Sequence, residues 1–389
     1  MLGPAGVWHD ATMRLLRLCL LVALLIAALL VPPGSAATRP EVARPAPDRS
    51  AAATCKALTL RQRVAQVVTT GLPSTQATAV ARRLVRRHAG AVVLLGHNVE
   101  GRWQVRRLTR RLRAAAPARL LVAVDEEGGR VARLGNAGLV TRVPSARWVA
   151  AHDSVAKIRR RGARLGREML ELGVNWNFAP VLDVAAAPSG TVIGDRSYSS
   201  DPDVVSAYGR AYARGLQSAG VRTTGKHFPG HGRTTVDSHE TLPTVNASLR
   251  RLRRTDLQPF VAAGPDLDAV MTAHVRYPKL GVQRPGSLSP RIRRLLRADL
   301  GYEGLIVTDA LEMGAVTSRY RVPRAAELAI VAGADVALVG DWRRTPAVAD
   351  RLVAAVNAGR LSHRRLKTAA GRVLAAKRYR PAMIDCLLH

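Results

Sequence analysis

The residues Lys226-His227-Phe228-Pro229-Gly230-His231-Gly232, running on to Val236-Asp237-Ser238-His239, are dense in groups that move protons. Asp237 and His239 stand two residues apart. A carboxylate that holds one ring nitrogen of a histidine fixes its tautomer and raises the basicity of the other nitrogen. Such a pair suits a group that acts first as general acid and then as general base. Two plainer readings of the stretch stay open: a solvated loop, or a metal site built from His227, His231 and His239 with Asp237. No H-E-x-x-H or comparable helical spacing supports the metal. A second candidate is Asp309, in Ile306-Val307-Thr308-Asp309-Ala310. A carboxylate directly after an apolar run is costly to bury without a partner, and at a strand end it is placed to be a nucleophile. The alternative is a capping or first-turn acid for a helix starting at Ala310. Asp125-Glu126-Glu127-Gly128-Gly129-Arg130-Val131-Ala132-Arg133 joins acids, two glycines and a trailing arginine. This set suits hydroxyl and carbonyl groups of a ligand, or an ordinary turn before an acidic helix start. Gly194-Asp195-Arg196-Ser197-Tyr198 is a polar loop or a surface turn.

Short apolar runs must position these groups. Eight are found: Val64–Val68, Gly90–Leu95, Leu120–Val124, Gly173–Phe178, Val221–Thr224, Leu267–Thr272, Gly304–Thr308 and Ala334–Val339. Between them lie segments of helical character, at Ala77–Arg87, Arg102–Ala115, Val155–Leu172, Val204–Ala219, Leu252–Ala262, Arg291–Asp299 and Ala325–Ala332. Alternating strands and helices imply a parallel sheet, and eight repeats fit an α/β fold of the TIM type, a single closed (β/α)8 barrel. An open doubly wound sheet is disfavoured because no G-x-G-x-x-G follows the first strand. A barrel should carry its catalytic groups at the C-terminal strand ends. Asp125, Lys226 with His227, His274 and Asp309 each follow an apolar run in this way.

The chain has 389 residues and 47% hydrophobic content, enough for one barrel-sized core. Its net charge is +32, and all but six of the 60 basic residues are arginine. The arginines spread along the whole chain and follow no zinc-finger, RNP or basic-zipper pattern, so nucleic acid is not the expected partner. The excess could still draw the protein to an anionic cell envelope. Arg14 and Arg17 precede the apolar run Leu18–Val31, followed by Pro32-Pro33-Gly34 and the small residues Ser35, Ala36 and Ala37. This layout predicts a signal peptide over residues 1–37, with a retained anchor as the alternative. Residues 38–54, rich in Ala, Pro and Arg, read as a flexible linker, leaving 55–389 as the folded domain. Cys19 would leave with the apolar run, whereas Cys55 and Cys386 bracket the folded region. Export would permit a disulfide between them, and closure of a barrel would bring its two ends together.

Taken in order, the motifs resemble glycoside hydrolase family 3, in its β-N-acetylglucosaminidase branch, over about residues 57–380. The stretches that carry the resemblance are Asp125–Arg133, Asn177–Asp183, Gly194–Ser199, Lys226–His239 and Thr308–Met313. The resemblance implies that Asp309 is the nucleophile and His239 the acid/base, with Asp237 as its partner. It further implies that Asp125, Arg133, Arg196, Lys226 and His227 hold the N-acetylglucosamine ring. The reaction would be retaining hydrolysis of terminal β-linked N-acetylglucosamine, from cell-wall muropeptides or related glycans. It needs no metal and no organic cofactor, and a monomer is expected. A glycoside phosphorylase, a β-glucosidase of the same family and a non-catalytic envelope-binding protein are the alternatives. Two residues depart from the family pattern: Glu126, where relatives often carry Gln, and Arg233, where an acid is common. The chain ends soon after the barrel, so the αβα-sandwich domain of many relatives is not expected.

Overall fold

In the computed structural model, the described residues are 56–185 and 191–389. The signal-peptide and linker expectations, together with Cys19 and Cys55, lie outside them. Eight parallel strands form the centre: β1 (Val68–Thr70), β2 (Ala91–Leu94), β3 (Leu121–Val124), β4 (Trp176–Asn177), β5 (Arg222–Phe228), β6 (Ala269–Thr272), β7 (Leu305–Thr308) and β8 (Ala337–Val339). Each pairs with its neighbours in chain order, and β8 pairs with β1 through Val68↔Ala337, Thr69↔Leu338 and Thr70↔Val339. The remaining seam, between β7 and β8, is held by a Val307↔Val336 bridge and by the amide N–H of Thr308, which donates to the Val336 carbonyl at 3.0 Å. The ring is therefore closed, as the eightfold repeat predicts.

Alternation along the strands divides the core into two layers. Ala91, Val93, Leu121, Ala123, Ala269, Met271, Leu305 and Val307 pack together with Trp176 and Phe178 in one cluster, inside the ring. Their strand neighbours Val92, Leu94, Val122, Val124, Val270 and Ile306 join the clusters beneath the helices. Low aromatic content is thus met by a barrel filled mainly with short branched side chains.

The first strand begins later than its apolar run suggests. Val64 lies instead in a helix, Leu60–Gln66, whose start is fixed by reciprocal bonds between Thr59 and Gln62. A small antiparallel hairpin, Glu126–Gly128 with Val131–Ala132, extends the top of β3 and was not foreseen. Three helices close the chain, at Thr345–Asn357, His363–Ala376 and Pro381–Leu388. The last returns to the start of the domain, where the Leu58 amide donates to the Leu387 carbonyl at 2.8 Å. Cys386, in that helix, is disulfide-bonded.

The few acids in the outer layer are shared. Glu327, with a side chain 2% exposed, meets Arg324 at 2.6 Å, Arg360 at 2.9 Å and Arg351. Asp335, fully buried, meets Arg297 at 2.6 Å, Arg365 at 3.0 Å and Arg372 at 3.4 Å. No helix of the described residues is long and apolar enough to cross a membrane.

Candidate active site

A pocket of about 380 Å³ opens at the C-terminal ends of the strands. Asp125, Arg133, Arg196, Lys226, His227, Asp237, His239 and Asp309 all line it. Every catalytic and sugar-holding residue expected from the sequence is therefore in one cavity.

Two of these come from one strand end. Regular alternation would send Lys226 and His227 to opposite sides of β5. The register between β5 and β6 slips there: Lys226 pairs with Met271, whereas Phe228 pairs with Thr272. The extra residue is a bulge, which re-aims side chains locally, and both residues reach the pocket. Lys226 Nζ lies 2.7 Å from Asp125 Oδ1 and 2.6 Å from Glu127 Oε1. Arg196 donates Nε and Nη2 to the two oxygens of Glu127, each at 2.8 Å. Burial alone would push the Glu127 carboxyl up, but Arg196 and Lys226 outweigh it and hold it well below the usual carboxylate range. Burial likewise opposes the Lys226 ammonium, yet Asp125 and Glu127 raise it above the ordinary lysine value.

His227 is oriented from behind. Its Nδ1 lies 2.6 Å from Asp183 Oδ2, and the fully buried Asp183 also accepts the His231 amide at 2.6 Å. Of the two arginines that line the pocket, Arg133 has spare capacity, since its Nε is buried with no hydrogen-bond partner among the described residues.

Asp309 follows β7, with its amide donating to the Thr272 carbonyl at 3.1 Å. Its Oδ1 accepts the Ala310 amide at 2.8 Å. Burial presses its carboxyl upward, but the fields of His227 and His274, with the Ala310 amide, keep it below the usual range. It is an ionised, largely desolvated carboxylate, the form a nucleophile needs. His274, the other strand-end histidine, supports this segment from below. Its ring is bonded to Ser287 Oγ at 2.7 Å and to the Ala310 carbonyl at 2.9 Å, and it does not line the pocket.

His239 Nδ1 lies 2.8 Å from Asp237 Oδ1, and the His239 amide donates to the same oxygen at 2.9 Å. The ring is 71% exposed, so its other nitrogen is open to substrate and water. The loop that carries it is pinned at two points. His231 bridges Thr234 Oγ1 at 2.6 Å and Ser238 Oγ at 3.0 Å. Beyond β7, the Gly314 and Ala315 amides donate to the His239 and Ser238 carbonyls at 2.8 and 3.1 Å. A Cβ on Gly314 would collide with the Glu240 carbonyl, so a glycine lets the two backbones meet.

Glu127 and Asp183 were not singled out as site residues in the sequence. Glu127 had a signal: it is two residues from Asp125, hence on the same face of an extended segment. Asp183 had none locally, because its partners stand 44 and 48 residues away. The two departures from the family pattern are resolved by geometry. Arg233 turns to Asp256, with Nε 2.9 Å from Oδ2 and Nη2 2.8 Å from Thr255 Oγ1, and does not line the pocket. Glu126 accepts the Leu134 and Gly135 amides at 2.8 and 3.0 Å, and burial pushes its carboxyl up to about 7. Among the described residues, no group of three or more His, Cys, Asp or Glu is arranged to hold a metal ion.

Residues 59–376 match the family model described as the glycosyl hydrolase family 3 N terminal domain. The chain belongs to glycosyl hydrolase family 3. It is 39% identical over 317 residues to the beta-hexosaminidase LpqI of Mycobacterium tuberculosis, covering 78% of this chain and 79% of that one. The solved structure of M tuberculosis LpqI superimposes with a TM-score of 0.77, at 36% identity, over 85% of this chain and 98% of that one. A glycoside hydrolase family 3 beta-N-acetylglucosaminidase from Paenibacillus sp. gives a TM-score of 0.80 at 40% identity, over 85% of this chain. This chain spans 63% of the Paenibacillus one. The family member described here is accordingly a glycoside hydrolase built on a TIM-type barrel.

Proposed function

We propose that this glycoside hydrolase removes terminal β-linked N-acetylglucosamine with retention, using Asp309 as nucleophile and His239 as acid/base. One observation carries the reading: an ionised strand-end carboxylate and a His–Asp pair on a pinned loop line the same cavity. Asp309 attacks the anomeric carbon while His239 passes the proton of its exposed nitrogen to the leaving oxygen. Asp237 accepts from the Nδ1–H, fixes the ring orientation and stabilises the imidazolium before transfer. His239 then takes a proton from water, which releases the sugar from Asp309. Asp125, Lys226, His227, Arg133 and Arg196 hold the ring, with Glu127 and Asp183 positioning the cations and the imidazole. The names of the hexosaminidase relatives support an N-acetylated substrate.

The apolar run Leu18–Val31 and the net charge of +32 support export or envelope association, with cell-wall fragments as substrate. Export to an oxidising compartment supports a disulfide between Cys55 and Cys386. The test compares aryl β-N-acetylglucosaminide with aryl β-glucoside on the purified enzyme. Faster turnover of the glucoside would overturn the proposal. Product analysis in phosphate buffer separates hydrolysis from phosphorolysis, because only the latter yields sugar 1-phosphate.

A further inference from the structure

The mechanism above leaves one carboxyl of the pocket unused. Glu312 stands three residues beyond Asp309 and lines the same cavity. The fold reserves its space. A Cβ on Gly340, just past β8, would collide with Glu312 Oε1, and a Cβ on Gly71, just past β1, would collide with the Gly340 carbonyl. Two glycines in succession thus let the strand ends close up around this side chain. The Gly340 and Asp341 amides interact with the carboxyl. Its Oε2 remains buried and has no hydrogen-bond partner among the described residues. Buried polar atoms in native proteins are paired as a rule, and an exception in a binding pocket invites a ligand atom.

The surroundings indicate which atom. Asp125, Glu127, Lys226, His227 and Arg196 gather the polar groups at the β3 to β5 side of the ring, where hydroxyls are best held. Glu312 belongs to the β7–β8 side, across the barrel, and Val93, Leu95 and Leu338 line the same pocket. A carboxyl acceptor in a cavity that also presents Val93, Leu95 and Leu338 is the complement of an acetamido group, which offers one N–H and one methyl. Attack by Asp309 requires the anomeric carbon at this end of the cavity, and the carbon bearing the acetamido group adjoins it.

We propose that Glu312 is a specificity-determining residue whose carboxyl accepts the N–H of the 2-acetamido group, while Val93, Leu95 and Leu338 enclose the methyl. This rests on the reading of the enzyme as a β-N-acetylglucosaminidase. Burial and the neighbouring Asp309 push the Glu312 carboxyl up to about 7. Near neutrality it is therefore often protonated, still offers an acceptor oxygen, and adds little negative charge beside the nucleophile.

The experiment measures kcat/KM for 4-nitrophenyl β-N-acetylglucosaminide and 4-nitrophenyl β-glucoside on wild type, Glu312→Ala and Glu312→Gln. Loss of the acceptor should lower the ratio of the two values at least about tenfold in Glu312→Ala. Glu312→Gln keeps a carbonyl oxygen in nearly the same volume, so its ratio should stay within about threefold of wild type. Glu312→Asp withdraws the carboxyl by one methylene and must also lower the ratio, which keeps the test decisive if the alanine variant does not fold. Competitive inhibition by free N-acetylglucosamine, set against glucose, should weaken in parallel. An unchanged ratio in Glu312→Ala, or an equal loss on both substrates, overturns the assignment. A wild-type enzyme without preference for the N-acetylated substrate would instead strike at the functional proposal itself.

Discussion

Glu127→Gln is the most informative single change outside the reacting groups. The side chain is 4% exposed and is the shared anion of Arg196 and Lys226. Removing one partner of a buried ion pair costs about 3–5 kcal/mol, because it strands an uncompensated charge. Lys226 keeps Asp125 at 2.7 Å, so only Arg196 loses its carboxylate, and the lower figure, about 3 kcal/mol, applies. The folded unit Cys55–His389 should unfold with an entropy of about 0.7 kcal/mol/K, so the melting temperature should fall by about 4 °C. The sign with pH follows from the depressed Glu127 carboxyl. Its contribution is complete above the ordinary glutamate pKa and is lost only as pH falls through the lower folded value. The gap between wild type and variant should therefore be constant from about pH 5 to 8 and narrow only in stronger acid. Differential scanning calorimetry at several pH values measures it. A shift below about 1 °C, or a gap that closes already near pH 6, would refute the picture of a desolvated ionic cluster.

Asp309→Ala should abolish turnover, by far more than tenfold, while circular dichroism stays native, since a rim carboxylate serves chemistry more than packing. His239→Ala should slow aryl glycosides with poor leaving groups by about 100-fold or more and largely spare the first step of activated ones; an equal loss on both classes would remove His239 as the acid. Gly314→Ala should lower kcat by disturbing the loop backbone that carries His239 and Ser238, with little change in a melt of the whole barrel; unaltered kcat would show that the contact is dispensable. Chelators should leave the rate unchanged, and zinc-dependent recovery after their use would restore the metal reading.

The alternation of apolar runs was enough to read the barrel, because its inward and outward layers are both written locally in the strands. Asp309, Lys226 and His227 were legible for the same reason: each is a polar residue that interrupts such a run at its end. The first strand was misplaced because Val64 and Val68 look alike by composition, whereas the Thr59–Gln62 capping box assigns Val64 to a helix. The supports of the site were harder to read. Asp183 with His227, Glu127 with Arg196, and Lys226 with Asp125 are separated by 44, 69 and 101 residues. No local pattern announces such pairings. Arg233 illustrates the converse, since it departs from the family pattern beside the His-rich stretch, yet it pairs with Asp256 and does not line the pocket.

The shared acids of the outer layer make mutational tolerance lopsided. A chain with 60 basic and 28 acidic residues has cations to spare and carboxylates in short supply. Removing Arg324 or Arg360 leaves Glu327 with other guanidiniums, and removing Arg372 leaves Asp335 with Arg297 and Arg365. Removing either acid strands three arginines at once. Sequence drift in this protein should accordingly run freely through these outer-layer arginines while the two carboxylates stay fixed, although neither lines the pocket.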